Sequence, residues 1–339
     1  MARKESRATA WAGWYFRSDF SIQIGATVAY NIPERVCSLK LARNLSISSL
    51  SLIFLCAGTH ARNVKTPAKN QDTAILLAAG DIANCQALSG AEATAKIIES
   101  IPSATVAALG DLALKNGSAA EFANCYDKTW GAFKSRTRPA PGNHEFRSSG
   151  ATPYFDYFGA AAGDPRKGYY SYQLDSWHII SMNGECKDIG GCQTGSPEEK
   201  WLRADLRTHP ATCTLAYWHE PLFSSGAEHD DNFNYRDFWW DLYRAHATVV
   251  LNGHDHDYER FAPQDPDGKA DPAHGIREFV VGTGGNHPRP FGPPKPNSQV
   301  RKAFTFGVLK LTLRAHSYDW QFIPVAGNTF TDSGSGSCQ

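Results

Sequence analysis

The sequence predicts an α/β domain, a βαβ core with antiparallel strands added to it, and three observations carry that prediction. Ala74–Ala79 and Thr105–Leu109 are short unbroken apolar runs, each ending in Gly-Asp, with a helix-compatible segment from Ala91 to Ser100 between them. Continuous apolarity over so few residues marks strands covered on both faces. Between Tyr169 and Met182 the pattern changes to two strand-like runs flanking Asp175-Ser176, as in an antiparallel pair. A third buried run, from Ala247 to Leu251, is broken by Asn252-Gly253.

The remaining elements follow in order. Helical spacing runs from about Ala119 to Phe133 and leads to Pro139-Ala-Pro-Gly-Asn143-His144-Glu145, a rigid turn-rich loop. Ser196 caps a helix that has Pro197 in its first position and Glu198 and Glu199 in its first turn. Strand Thr214–Trp218 delivers His219, a helix spans Tyr235 to His246, and later strands lie near Glu278–Val281 and Thr305–Leu313. Residues 262–275 and 286–299, rich in proline and glycine, read as loops, and the Ser333–Ser337 tail is flexible unless Cys338 anchors it. No repeat or charged linker divides the chain after its first part, so residues 62–339 read as one domain.

Of the 339 residues 42% are hydrophobic and 12% aromatic, enough for a sizeable core. Thirty-four basic residues balance 34 acidic ones, so no long-range field favours nucleic acid or an anionic membrane, and an anionic substrate must be caught locally. Lys40 and Arg43 precede the apolar stretch Leu45–Cys56 and the small-residue segment Ala57–Ala61, which together read as a secretory signal over residues 36–61. That stretch is too short to span a bilayer, so after cleavage the chain is expected in the extracellular space or periplasm with no stable membrane anchor. A signal starting near Val36 implies that residues 1–35 are a mis-annotated extension. Of the six cysteines that follow, Cys186 and Cys192 share a short loop and are the expected disulfide pair; the pairing of the others is open.

Five segments at strand ends or turns carry ligand-type side chains: Asp81; Asp111; Asn143 with His144; His219; and His254 with His256. Each alone is ordinary turn chemistry. Together, oxygen and imidazole donors at successive strand ends suit a borderline metal such as zinc, manganese or iron. The ordered pieces Gly80-Asp81, Gly110-Asp111, Gly142-Asn143-His144-Glu145, His219 and Gly253-His254-x-His256-x-Tyr258-Glu259-Arg260 resemble the calcineurin-like metallophosphoesterases, within them the purple acid phosphatase branch, and its compact bacterial secreted members in particular.

That resemblance implies a four-layer αββα sandwich and a metal-dependent phosphoric ester hydrolase of the acid phosphatase type, acting on phosphomonoesters and also on diesters. It implies two metal ions, iron, zinc or manganese, with Asp81, Asp111 and His256 on one, Asp111, Asn143, His219 and His254 on the other, and Asp111 bridging. A metal-bound water would supply hydroxide, His144 would act beside the phosphate and the leaving oxygen, and His229 would be a second phosphate-side histidine. Glu145 and Asp257 become supporting partners, Asp255 points away from the metals, and Tyr258-Glu259-Arg260 locks the loop. Two departures stand out: Ala83 occupies the place of a family histidine and Leu114 that of the purple branch's tyrosine. They leave the first metal three protein ligands, and they motivate an alternative, a catalytically weakened phosphate- or partner-binding descendant with one metal. Phe223, Phe233 and Tyr235, in or beside a loop expected to wall the pocket, either stack a nucleotide base or fill core.

Overall fold

The computed structural model describes residues 73–229 and 231–339; the expected extension 1–35, export signal 36–61 and lead-in 62–72 lie outside the described residues. The two Gly-Asp runs are neighbouring parallel strands, in register from Leu76↔Thr105 to Ala79↔Ala108. They sit inside a six-stranded sheet whose spatial order is Ser333–Ser337, Ser317–Pro324, Gly307–Arg314, Ala74–Ala79, Thr105–Leu109 and Thr137–Ala140. A seven-stranded sheet runs Ser298–Lys302, Tyr258–Phe261, Arg277–Val281, Val249–Asn252, Cys213–Tyr217, Trp177–Ser181 and Tyr170–Leu174. The expected antiparallel pair is present at its edge, Tyr170↔Ser181 to Leu174↔Trp177, with Asp175 in the left-handed region at the turn.

The layers follow from which faces are apolar. The larger core joins Ala107, Leu309 and Leu311, which share one face of the first sheet, to Trp177, Leu215 and Phe279 of the second, and Ile98 and Trp130 cover the first sheet from outside. A second core packs Ile180, Ala216 and Val250 against Leu202 of helix Pro197–Thr208 and Phe238 and Trp239 of helix Arg236–Arg244. The result is the expected αββα order. Each large apolar side chain fully buried in it stabilises the fold by roughly 1.5–3 kcal/mol.

Local signals behave as the residues dictate, with one exception. The Ser196 hydroxyl accepts from Glu199 N at 3.2 Å and Pro197 starts the helix. The expected helix from Ala119 to Phe133 is instead three short pieces: α over Ala119–Glu121, a π turn over Phe122–Tyr126 and a 3-10 segment over Trp130–Arg136. Phe122, Tyr126 and Trp130, all buried, are spaced four apart, wider than the 3.6-residue α period. Cys125 is also fixed by a disulfide to Cys85.

The other disulfides are Cys186–Cys192, as expected, and Cys213–Cys338. Cys338 therefore does anchor the tail, and Ser333–Ser337 pairs with Ser317–Gln321 as an edge strand. Disulfides are typical of oxidising compartments, and among the described residues no helix is long and apolar enough to cross a membrane.

Tyr258 and Arg260 hold the tail of the histidine motif. The Asp332 carboxylate accepts from Tyr258 Oη (2.7 Å), Arg260 Nε (2.7 Å) and Trp320 Nε1 (3.2 Å), tying strand Tyr258–Phe261 to the other sheet. Arg260 is thus a scaffold residue. Burial disfavours the Asp332 charge, but those donors and the guanidinium outweigh it and hold the carboxyl below its ordinary value. A carboxyl depressed in the folded state contributes stability above its unfolded pKa of about 3.9, and the contribution is lost as pH falls through the lower folded value. Asp332→Asn is therefore expected to lower the melting temperature at pH 7, with a gap to wild type that narrows below pH ~4; a gap of constant size down to pH 3 would contradict the charge-based account.

Candidate metal centre

The parallel strands of both sheets end at one place. Ala74–Ala79 delivers Asp81, Thr105–Leu109 delivers Asp111, Thr137–Ala140 leads to Asn143 and His144, Cys213–Tyr217 to His219, and Val249–Asn252 to His254 and His256. Carboxyl ends of parallel strands are where open α/β sheets place their sites. Asp81, Asp111 and His254 all have positive φ (58°, 52° and 71°), a conformation that costs a residue with a Cβ and is sustained here at three ligand-type positions. The backbones also approach closely: a Cβ on Gly142 would lie 2.4 Å from Asp111 Oδ1, and one on Gly253 would lie 2.9 Å from Asp81 Oδ2.

The expected ligand residues come together. His219 Nε2 lies 3.2 Å from Asp111 Oδ2, His256 Nε2 3.2 Å from Asp81 Oδ1, and His254 Nδ1 3.3 Å from His219 Nε2. Ligand atoms of Asp81, Asp111 and His219 all fall within 4.8 Å of one another. Backbone bonds hold the set in place, from His254 N to Asp81 Oδ2 (2.7 Å) and from His144 N to Asp111 Oδ1 (2.9 Å).

The donor set fits cations. His219 Nδ1 donates to the Leu109 carbonyl (2.8 Å) and His256 Nδ1 to the His287 carbonyl (2.6 Å), so each ring turns its Nε2 toward a carboxylate oxygen, where it can carry a proton or bind a cation. Asp81 Oδ1 and Asn143 Oδ1 are buried with no hydrogen-bond donor. Buried acceptors facing acceptors are costly unless a cation or proton lies between them. Burial disfavours charge on both members of the Asp111–His219 pair, yet their mutual attraction draws Asp111 down and His219 well up. Burial and the nearby His219 and His229 keep His254 neutral, its pKa well below the ordinary value. In a contrasting cluster, His178, Asp205 and His209, the carboxylate already has donors: Asp205 accepts from His178 Nε2 (2.7 Å) and Ser171 Oγ (2.7 Å).

His144 and His229 flank the centre. His144 Nδ1 bonds the Lys115 carbonyl at 2.6 Å and its Nε2 lies 3.6 Å from Asp111 Oδ2. The His229 ring lies 4.0 Å, centroid to centroid, from that of His254. Arg289 Nη1 bonds His229 Nε2, and Arg289 Nε pairs with Glu228 at 3.2 Å. Burial, then the charges of Arg289 and His256, hold His229 below its ordinary pKa.

Supporting residues sort as follows. The buried Glu145 carboxylate accepts from the backbone N–H of Asp111, Leu112, Ala113 and Gly142 (2.8–3.3 Å), joining two ligand loops; burial and the Asp111 charge push its pKa up to about 8. Glu145→Gln places an amide donor against those N–H groups, and metal affinity is expected to fall ~10–100-fold by equilibrium dialysis, the range for lost outer partners of metal ligands; unchanged affinity would show the carboxylate to be dispensable. Asp255 does point away, accepting from Ser224 Oγ, although it is buried. The Asp257 carboxylate is buried with no hydrogen-bond donor. Phe223 packs on Trp239, Tyr235 is buried with its hydroxyl on Gly184 O (2.8 Å), and Phe233 is exposed, so the first two are core.

Ala83 and Leu114 are buried apolar residues on paired two-residue strands and offer no ligand atom. Beside them lies a residue that sequence reasoning missed, Asn286, whose Nδ2 is 3.4 Å from His256 Nε2. It follows Gly284-Gly285 at the edge of a proline- and glycine-rich stretch, where composition signals only a loop. Arg289 was hidden in the same stretch.

Comparison with known proteins agrees with this geometry. The chain is 28% identical over 222 residues to purple acid phosphatase 21 of Arabidopsis thaliana, covering 58% of this chain and 49% of that protein. Over 166 residues it is 32% identical to purple acid phosphatase 22 of the same plant, 45% of this chain and 36% of that protein. The chain thus spans about half or less of the length of these relatives. Among solved structures, the yellow lupin (Lupinus luteus) purple acid phosphatase PPD1 superposes with a TM-score of 0.66 at 18% identity, over 79% of this chain and 54% of that one. GAP50, the anchor in the inner membrane complex of Plasmodium, gives 0.62 at 12% identity, over 79% and 90%. These two likenesses establish the fold. The calcineurin-like phosphoesterase sequence profile matches residues 60–258, more than half of the chain and all the strand-end motifs from Asp81 to His256, so the chain belongs to that family.

Proposed function

We propose that the chain is an exported, metal-dependent phosphomonoesterase of the purple acid phosphatase type, with some activity on diesters, working with two ions of iron, zinc or manganese. One observation carries the reading: five strand ends bring Asp81, Asp111, Asn143, His219, His254 and His256 to one centre, where imidazole nitrogens face carboxylate oxygens and neither Asp81 Oδ1 nor Asn143 Oδ1 has a hydrogen-bond donor. Asp81, Asp111 and His256 would hold one ion, and Asp111, Asn143, His219 and His254 the other. The ions would supply Lewis acidity toward phosphoryl oxygens and acidify water.

The chain's own residues do the rest. His144, with Nδ1 committed to Lys115 O, offers Nε2 on the open side of Asp111. A proton carried on Nε2 makes that N–H the donor for a leaving oxygen. His229 accepts from Arg289 at Nε2, so as a neutral ring it presents Nδ1–H to a phosphate oxygen. The three disulfides support export through the 36–61 signal, in keeping with the compact bacterial secreted form.

The purified protein is expected to hydrolyse p-nitrophenyl phosphate, to lose that activity on chelation and to regain it with manganese, zinc or iron. Turnover that survives complete metal removal would overturn the reading. A second reading, a phosphate or partner binder with one ion, is favoured by the apolar Ala83 and Leu114. Fold does not fix function, and GAP50, described as an anchor, shares this one. One bound equivalent and no turnover on a broad ester panel would establish the binder.

A further inference from the structure

We propose that Asn286 is a ligand of the first metal, through its carboxamide oxygen, and that this neutral donor makes the site one for a divalent ion. The inference rests on the two-metal reading above and deepens it.

Spacing is the first argument. Neighbouring ligand-type atoms in this centre lie 3.2, 3.2 and 3.3 Å apart. The Asn286 amide stands 3.4 Å from His256 Nε2, so it occupies a ligand's place beside the imidazole, on the side that Ala83 and Leu114 leave without donors. The residue is 8% exposed and preorganised: its N–H donates to the carbonyl of Asp81 (2.8 Å) and Gly284 N to that of Gly80 (2.9 Å).

Hydrogen-bond bookkeeping is the second. Asn286 Nδ2 donates to His256 Nε2, Asn286 Oδ1 accepts from Asn84 Nδ2 (2.9 Å), and Asn84 Oδ1 accepts from Gln86 N (3.0 Å). A cation that takes the Nε2 lone pair removes the acceptor of the Asn286 amide. Half-turns of both carboxamides restore the match, since each amide carries an acceptor and donors at opposite ends. Asn286 Oδ1 then faces the cation and Asn84 Oδ1 accepts from Asn286 Nδ2. The groups left over are Gln86 N–H and the Asn84 Nδ2 now facing it, on an exposed and a half-buried residue that water can serve. The chain of amides thus moves the mismatch from a buried site to the surface, where an unmade bond costs little.

Charge is the third. Of the described residues assigned to the first site as ligands, Asp81 and the shared Asp111 carry formal negative charge and an amide adds none, so a trivalent ion would be poorly compensated in a buried centre. Carboxylate, carbonyl and imidazole donors suit divalent manganese or zinc.

The test measures manganese and gallium(III) binding by equilibrium dialysis and calorimetry to wild type, Asn286→Ala and Asn286→Asp. Wild type is expected to take up two manganese ions, and Asn286→Ala to keep one site unchanged while the other weakens at least ~10-fold. Asn286→Asp is expected to restore the second manganese ion and to raise gallium affinity over wild type, a gain that a merely structural role would not produce. Two manganese ions bound by Asn286→Ala with wild-type affinities would overturn the ligand assignment and leave the two-metal reading intact. An Asn286→Asp protein with no gain in gallium affinity would also overturn it. One manganese ion in wild type would overturn both at once. Should Asn286→Ala fail to fold, Asn286→Asp decides alone.

Discussion

Asn143→Ala is expected to lower kcat/KM for p-nitrophenyl phosphate by more than ~100-fold, beyond the 10–100-fold typical of losing an outer partner of a metal ligand. Asn143 Oδ1 has no other occupation: it is buried and accepts from nothing. Truncating it leaves the loop in place, because neighbouring backbone groups hold it, Gly142 N on Glu145 Oε2 (2.8 Å) and His144 N on Asp111 Oδ1 (2.9 Å). The metal-free variant should therefore melt at or slightly above the wild-type temperature, since an unsatisfied buried acceptor has been removed. Lost activity, lost metal and unchanged metal-free stability form a signature that separates a ligand from a packing residue. A variant that melts well below wild type while keeping its metal would show that Asn143 supports the fold instead. His254→Ala should behave alike in activity, but its ring also packs on His219 and His229, so some loss of stability is expected with it.

Most of the site was legible because its residues are punctuation. Gly-Asp and Asn-Gly after continuous apolar runs announce both the strand end and the ligand, so Asp81, Asp111 and His254 could be placed before any geometry was known. The second layer was not, because what recruits it is distance in space. Asn286 and Arg289 lie on a loop whose composition says only that it is irregular, and their partners His256 and His229 are 30 and 60 residues away. The fold divides in the same way. The parallel strands stood out through unbroken apolarity, whereas Thr137–Ala140 contains Pro139 and was masked by its turn-like composition. Strand Ser317–Pro324 is a different matter: Tyr318, Trp320 and Phe322 alternate as a half-buried strand should, and the signal was there to be read. The tail Ser333–Ser337 carried none, since alternating serine and glycine bury little, and its order comes from strand pairing and a covalent bond.

That bond carries the second large effect. Cys213 begins a strand of one sheet and Cys338 follows the edge strand of the other, so the disulfide staples the two sheets across 125 residues of chain. Cross-linking over that separation restricts the unfolded chain by roughly 4–5 kcal/mol on the chain-entropy account, against about 2 kcal/mol for a closure as short as Cys186–Cys192, six residues apart. Cys338→Ser should thus lower the melting temperature on the order of 10 °C, at the ~2–4 °C per kcal/mol usual for domains of this size. A reductant opens Cys85–Cys125 and Cys186–Cys192 as well, so it should lower both proteins and close the gap between them. Activity at 25 °C should be nearly unchanged, because the staple lies at the amino end of Cys213–Tyr217 and the metal centre beyond its carboxyl end, ~20 Å away at about 3.3 Å per residue. If Cys338→Ser melts with wild type, the edge strand holds by pairing alone; if it loses activity at a temperature where it is fully folded, the staple is coupled to the metal loops in a way that the separation along the strand does not allow.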